Sequence, residues 1–211
     1  MNVLSMEKYI TSSCTISGHV VHKNGKTLFQ NKDVELNDFL VSVYHHFEIK
    51  YPKFHKMDNL CKLGWLATEV LLKNSLDPDK YKPEGMGIVL ANASSSLDTD
   101  IKYYETVKSM ASPALFVYTL PNIVIGEISI RHHFKGENAF FISNEFDAGF
   151  IEQYVSNLLN NNILQSCICG WVELIDDQYK TVLFLIEKDA PGKNSLFTKE
   201  NLNKIYQSEN G

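Results

Sequence analysis

Two unbroken apolar runs constrain this chain most. GMGIVLA, from Gly85 to Ala91, and TVLFLIEK, from Thr181 to Lys188, carry no polar residue at alternate positions. A strand that reads this way is buried on both faces, so helices must cover both sides of its sheet. TVLFLIEK, apolar from Val182 to Ile186, is therefore expected at the centre of that sheet.

The remaining segments supply strands and helices in alternation. KYITSSCTIS (residues 8–17) reads as a β-branched first strand, and Asn24-Gly25 between short apolar runs is a hairpin turn. Residues 37–48 read as a helix, and Met57 to Lys73 as a longer one. In the second, Leu60, Leu63, Trp65, Leu66, Val70 and Leu71 form a broad buried stripe. After the Gly85–Ala91 strand come a small-residue loop (Asn92 to Ser96) and a helix to Lys108. Asp98 or Thr99 is its expected cap, and Ile101 and Tyr104 share one face. Ala139 to Ser143 is a further strand, and Phe146 to Leu159 marks a helix. Two strands then flank the Asp176-Asp177 turn, and a short helix is expected over Thr198 to Tyr206 before the chain frays. This order implies an α/β layer fold: a mostly parallel five-stranded sheet, closed by one antiparallel strand pair. Residues 1–190 make one domain and 191–211 a C-terminal tail.

Composition excludes several functions. Arg131 is the sole arginine among 20 basic residues, and the net charge is −5. Bidentate phosphate clamps and base readout by arginine are thus nearly absent, and nucleic acid is not an expected partner. The Ser94–Ser96 loop lacks the Gly-Lys-Ser/Thr ending of a phosphate loop. Cys14, Cys61, Cys167 and Cys169 fit neither a disulfide framework nor a zinc site, and the Cys167-x-Cys169 thiols share one face of a strand. No metal or cofactor is expected. The N-terminus has no basic region followed by an apolar run, and the run from Ala114 to Ile125 is too short to span a bilayer. A cytoplasmic location, away from membranes, is expected.

The stretch from Ser112 to Gly149 carries the most specific pattern. Pro113, Asn122, Gly126, Ile128, Ser129, Ile130, Gly136 and Asn138 are spaced as in the approach to the nucleophile of a β-ketoacyl synthase. YITSSCTIS, the Met57-Asp58 helix, GIVLANASSSLD and ILQSCICGWVELI also resemble, in order, elements of that family's N-terminal half. The resemblance covers roughly residues 8–188 and implies a thiolase-like half-fold, with the Gly126–Ile130 segment as a strand. His132-His133 would fall in a loop between strands, and Ser129 and Ser143 on strands.

In such enzymes a reactive Cys stands at a helix N-terminus. Nine residues after Gly136 that position holds Glu145, a poor acyl acceptor that cannot form the thioester; one residue on stands Phe146. The family's second half, with its two histidines, has no counterpart after Lys188. His45-His46 and His132-His133 read as surface or interface residues.

The resemblance therefore implies a non-condensing partner subunit in fatty-acid or polyketide-type synthesis. It would pair with itself or with a full-length ketosynthase, serve an acyl carrier protein, and expose the face that would meet a second half. Two alternatives are an enzyme using Glu145 as acid or base on an acyl thioester, and a binding module for an acyl chain or carrier. In either, Asn144 and Phe146 would touch substrate.

Overall fold

The computed structural model describes residues 7–77, 79–188, 190 and 194–208. Seven strands form a continuous path. They are β1 (Lys8–Ser17), β2 (Val20–Lys23), β3 (Lys26–Gln30), β4 (Met86–Asn92), β5 (Asn138–Ile142), β6 (Ser166–Ile175) and β7 (Gln178–Lys188), in the order β3-β2-β1-β7-β6-β4-β5. An eighth strand, β8 (Ser195–Leu196), pairs with β1.

β7 is antiparallel to both β1 and β6, while β4 is parallel to both β6 and β5. So β1, β6, β4 and β5 run one way and β7 alone runs against them. The expected mostly parallel five-strand sheet is present, extended by the β2-β3 hairpin and β8. β7 is central, and Val182 to Ile186 are all fully buried. At Gly170 on β6 (φ +146°) an added Cβ would stand 2.1 Å from the Val182 carbonyl oxygen, so this close approach to β7 requires glycine. The hairpin turns on Asn24 (φ 51°) and Gly25 (φ 73°), the left-handed pair that a two-residue turn matched to strand twist demands.

One sheet face is covered by α1 (Leu36–His46), α2 (Asn59–Leu72) and α5 (Ile123–His132). Twelve of the fourteen α2 residues are buried, because it meets the sheet on one side and α1 and α5 on others. Asp58 caps it, accepting from Cys61 N at 2.9 Å. α6 (Ala148–Asn160) and α7 (Lys199–Ser208) cover the opposite face, with Ile151, Val155, Leu159, Cys167, Cys169, Phe184 and Leu202 in its core. α3 (Leu97–Val107) and the single turn α4 (Pro113–Phe116) lie between β4 and α5.

Several local expectations are corrected. The Gly126–Ile130 segment is helix α5, not a strand. The resemblance carried a strand onto it, but the buried positions Val124, Ile125, Glu127 and Ile128 follow a helical period. Ser129 is accordingly helical, and Ser143 lies just past β5. His132 ends α5 and His133 is its left-handed C-cap, so the pair terminates a helix. The N-cap of α3 is Ser96 rather than Asp98 or Thr99, which are buried inside its first turn. Ile101 and Tyr104 do share a face, but it points to solvent. The C-terminal helix runs to Ser208; the expected fraying falls mainly on 209–211, outside the described residues. Phe197 and Leu202 of this tail are buried in the core.

The cysteines are where the sequence puts them. All four are buried, and burial pushes the thiols of Cys61, Cys167 and Cys169 up, away from the reactive thiolate. Among the described residues, no helix is long and apolar enough to cross a membrane.

Candidate functional site

The strand-to-helix turn between β5 and α6 lies at the carboxyl end of the parallel strands, where open α/β sheets place ligand sites. Gly136 fixes the approach. Its amide donates to Met86 O at 3.0 Å, and a Cβ there would stand 2.4 Å from that oxygen. β5 then runs beside β4, and Ser143 N donates to Asn92 O at 3.0 Å, so both strands end level.

Ser143 Oγ donates to Glu145 O at 2.7 Å, which tightens the turn. Asp147 caps α6, its Oδ1 accepting from Phe150 N at 2.9 Å. The helix N-terminus is thus met by Asp147, and Glu145 stands two residues outside it. Asn144 and Glu145 are exposed. Phe146 points the other way and is buried. It stacks on Tyr206 of α7 at 4.6 Å between centroids, with Phe184 at 6.2 Å and Trp171 at 6.3 Å. Its ring is therefore part of the packing that docks α7.

A cleft of roughly 900 Å³ opens over this turn, lined by residues 143–149 and by Lys199, Asn203, Tyr206 and Gln207. Lys180 holds its α7 wall, donating to Tyr206 O at 2.8 Å with Nζ 3.9 Å from the ring centroid. Burial raises the Tyr206 hydroxyl, and the charges of Glu173 and Glu145 add to that effect.

Glu173, on β6, ties in the loop after β4. One of its oxygens accepts from Ala93 N at 2.5 Å and Ser94 N at 3.2 Å, and the other is buried with no hydrogen-bond partner among the described residues. Asn92 closes the same loop through Ser95 N at 3.0 Å and Ser95 O at 2.8 Å. Two loop amides that could face a phosphate thus already serve a protein carboxylate, which removes the phosphate-loop reading physically.

The sequence placed Asn144, Glu145 and Phe146 together, and the structure brings them into one turn with divergent directions. It missed Asp147, Glu173 and Tyr206. Asp147 before a helix was a visible cap signal. The other two come from distant segments, and no local pattern marks them. Among the described residues, no group of three or more His, Cys, Asp or Glu side chains could hold a metal ion.

α3, α4 and the residues that follow each of them present apolar side chains to solvent. Ile101, Tyr104, Val107, Met110, Phe116 and Leu120 are exposed, Tyr104 by 65% and Met110 by 83%. β5 ends the main strand path, and Ile142 at its end is exposed. The surface is anchored from beneath. Thr99 Oγ1 donates to half-buried Asp58 at 2.6 Å, and Ser96 Oγ donates to Thr119 O at 2.9 Å.

No family model and no curated protein matches the chain. Solved structures do. The ishigamide ketosynthase/chain length factor superposes with a TM-score of 0.64 at 14% identity, over 89% of this chain and 64% of that one. A structure of a type II PKS acyl-carrier protein in complex with its ketosynthase bound to the hexaketide gives 0.62 at 15%, over 88% and 64%. A ketosynthase in complex with its chain length factor from Xenorhabdus doucetiae gives 0.56 at 12%, over 88% and 80%. The chain thus spans 64% of the length of the first two. Across nearly nine tenths of its own length it has the layered, thiolase-like α/β fold of ketosynthases and chain length factors.

Proposed function

We propose that this chain is a ketosynthase-like subunit without a condensing centre of its own. It acts in the cytoplasm as the partner of a full-length ketosynthase in polyketide- or fatty-acid-type synthesis, on chains delivered by an acyl carrier protein. One observation carries the reading: the turn that leads from β5 into α6 offers Glu145 and a packed Phe146, while all four thiols are buried elsewhere. A carboxylate there cannot accept an acyl group as a stable thioester. The apolar α3-α4 surface supports a subunit contact, since a patch of this kind seldom faces water in a monomer.

Co-expression with a ketosynthase and acyl carrier protein from the same cell tests this. The chain should co-purify with the ketosynthase and change the length of the product. Tyr104→Arg with Met110→Glu should abolish both effects. If wild-type protein elutes apart from the ketosynthase and products are unchanged, the reading fails. Self-association alone would leave the homodimer form and remove the heterodimer.

The openness of Glu145 in its cleft favours a second reading, acid/base work on an acyl thioester with Asn144 beside it. It requires thioester turnover that Glu145→Ala removes; equal rates in the two proteins would end it. Retention of an acyl chain or carrier without turnover, seen by native mass spectrometry, would mark a binding module.

A further inference from the structure

At the C-terminal ends of α2 and α5 is a second cleft of about 500 Å³, lined also by residues 47–50. That is within the range of about 300–1,000 Å³ that small ligands occupy. Its floor is apolar: Val70 and Leu72 are buried, and Phe47, Ile49, Leu76 and Phe134 turn part of their surface outward. Its rim is cationic. Arg131, the sole arginine of the chain, stands there with Lys50 and Lys73.

Two carboxylates also reach the cleft. Glu69 is taken up by Arg131 at 3.2 Å and His132 at 2.8 Å, while Glu48 is exposed at the edge. Counting Arg131, Lys50 and Lys73 against Glu48 and Glu69, three minus two, leaves a local excess of +1, in a chain of net charge −5. Arg131 is held in place, with its guanidinium 5.4 Å from the Tyr51 ring centroid, so ordering it for a ligand costs little. Lys73 is similarly laid over Phe47 at 5.5 Å.

We propose that this cleft binds a monocarboxylic acid with an apolar body, its carboxylate at the Arg131, Lys50 and Lys73 rim and its body along Val70, Leu72, Leu76 and Phe134. The site is independent of the β5-α6 turn and needs no ketosynthase, so either proposal can fail without the other.

Decanoate is the probe, with 1-decanol as its uncharged counterpart, followed by calorimetry and methyl NMR of the isolated chain. Decanoate should bind saturably at one site and shift the methyls of Ile49, Val70, Leu72 and Leu76. 1-Decanol should bind at least about tenfold more weakly. Lys50→Glu with Lys73→Glu should weaken decanoate by about tenfold or more while leaving 1-decanol unchanged. Leu76→Trp, which fills the floor and leaves every charge in place, should weaken both. No saturable binding, equal affinity for acid and alcohol, or shifts centred on Ile142 instead would each overturn the proposal.

Discussion

Replacing Glu69 by glutamine tests the electrostatic reasoning most sharply. Glu69 is one of only two α2 residues that are not buried, and its side chain is 12% exposed. Its Oε1 lies 3.2 Å from Arg131 Nε and 2.8 Å from His132 Nε2, and its Oε2 lies 3.5 Å from Arg131 Nη2. Burial alone would push this carboxyl up. The His132 and Arg131 groups beside it outweigh that and hold it below the usual carboxylate range.

Glu69→Gln keeps the shape and removes the charge. Breaking a fully buried pair costs about 3–5 kcal/mol. Here the Arg131 side chain is 34% exposed and can turn to water, so the loss at pH 7 should be about 1–2 kcal/mol. With a urea slope of about 2 kcal/mol per M, the midpoint should fall by roughly 0.5–1 M. The pH dependence follows from the direction of the shift. A carboxylate lowered in the folded state contributes its stability above its unfolded value, about 4.3, and loses it as pH falls through the folded value. Urea titrations of both proteins from pH 7 down to about 3 should therefore converge at the acid end. A gap that stays constant over that range, or is absent at pH 7, refutes the reasoning.

Other substitutions probe the site and the core. Phe146→Ala should cost about 3 kcal/mol in urea unfolding and speed tryptic cleavage after Lys199 and Lys204, because Phe146 docks α7 through Tyr206. Gly136→Ala should leave little folded protein in a circular dichroism melt, since the new Cβ would lie 2.4 Å from Met86 O. Gly126→Ala, in α5 with nothing within 4 Å of the new Cβ, should be neutral or stabilise by up to about 1 kcal/mol. A thiol reagent at pH 8 should label none of the four buried cysteines in native protein and all four in denaturant. Native labelling of Cys167 or Cys169 would mean the strand core opens.

How much was legible follows the range of the interactions. GMGIVLA and TVLFLIEK announced buried strands because burial on both faces leaves no polar alternation to disguise them. Asn24-Gly25 announced its turn because few pairs adopt that backbone. Gly126 to Ile130 misled because the resemblance carried a strand onto it. Its helix is set by tertiary packing, where Gly64 lets Val124 sit against α2. In the candidate site, Glu145 could be located by counting from Gly136. That Phe146 turns inward while Glu145 turns outward depends on Trp171, Phe184 and Tyr206, which lie 25 to 60 residues away. Glu173 was visible only as the end of a strand motif; its hold on Ala93 and Ser94 is a cross-sheet event.

This chain spans 64% of the length of its first structural neighbours. Among the described residues, α1, α2 and α5 cover one side of the sheet and α6 and α7 the other. Most outward positions of α6 are polar, with Gln153, Asn157 and Asn160 exposed beside Phe150, so water is a suitable neighbour for most of this face. Among the described residues, apolar exposure concentrates instead on residues 97–120. A patch of this kind can be covered by a separately folded subunit. The chain alone should therefore unfold in one cooperative transition, with coincident fluorescence and circular dichroism midpoints. Adding a partner should raise that midpoint in proportion to the logarithm of its concentration. Two separated transitions, or a molten state without the partner, would show that the core depends on another chain.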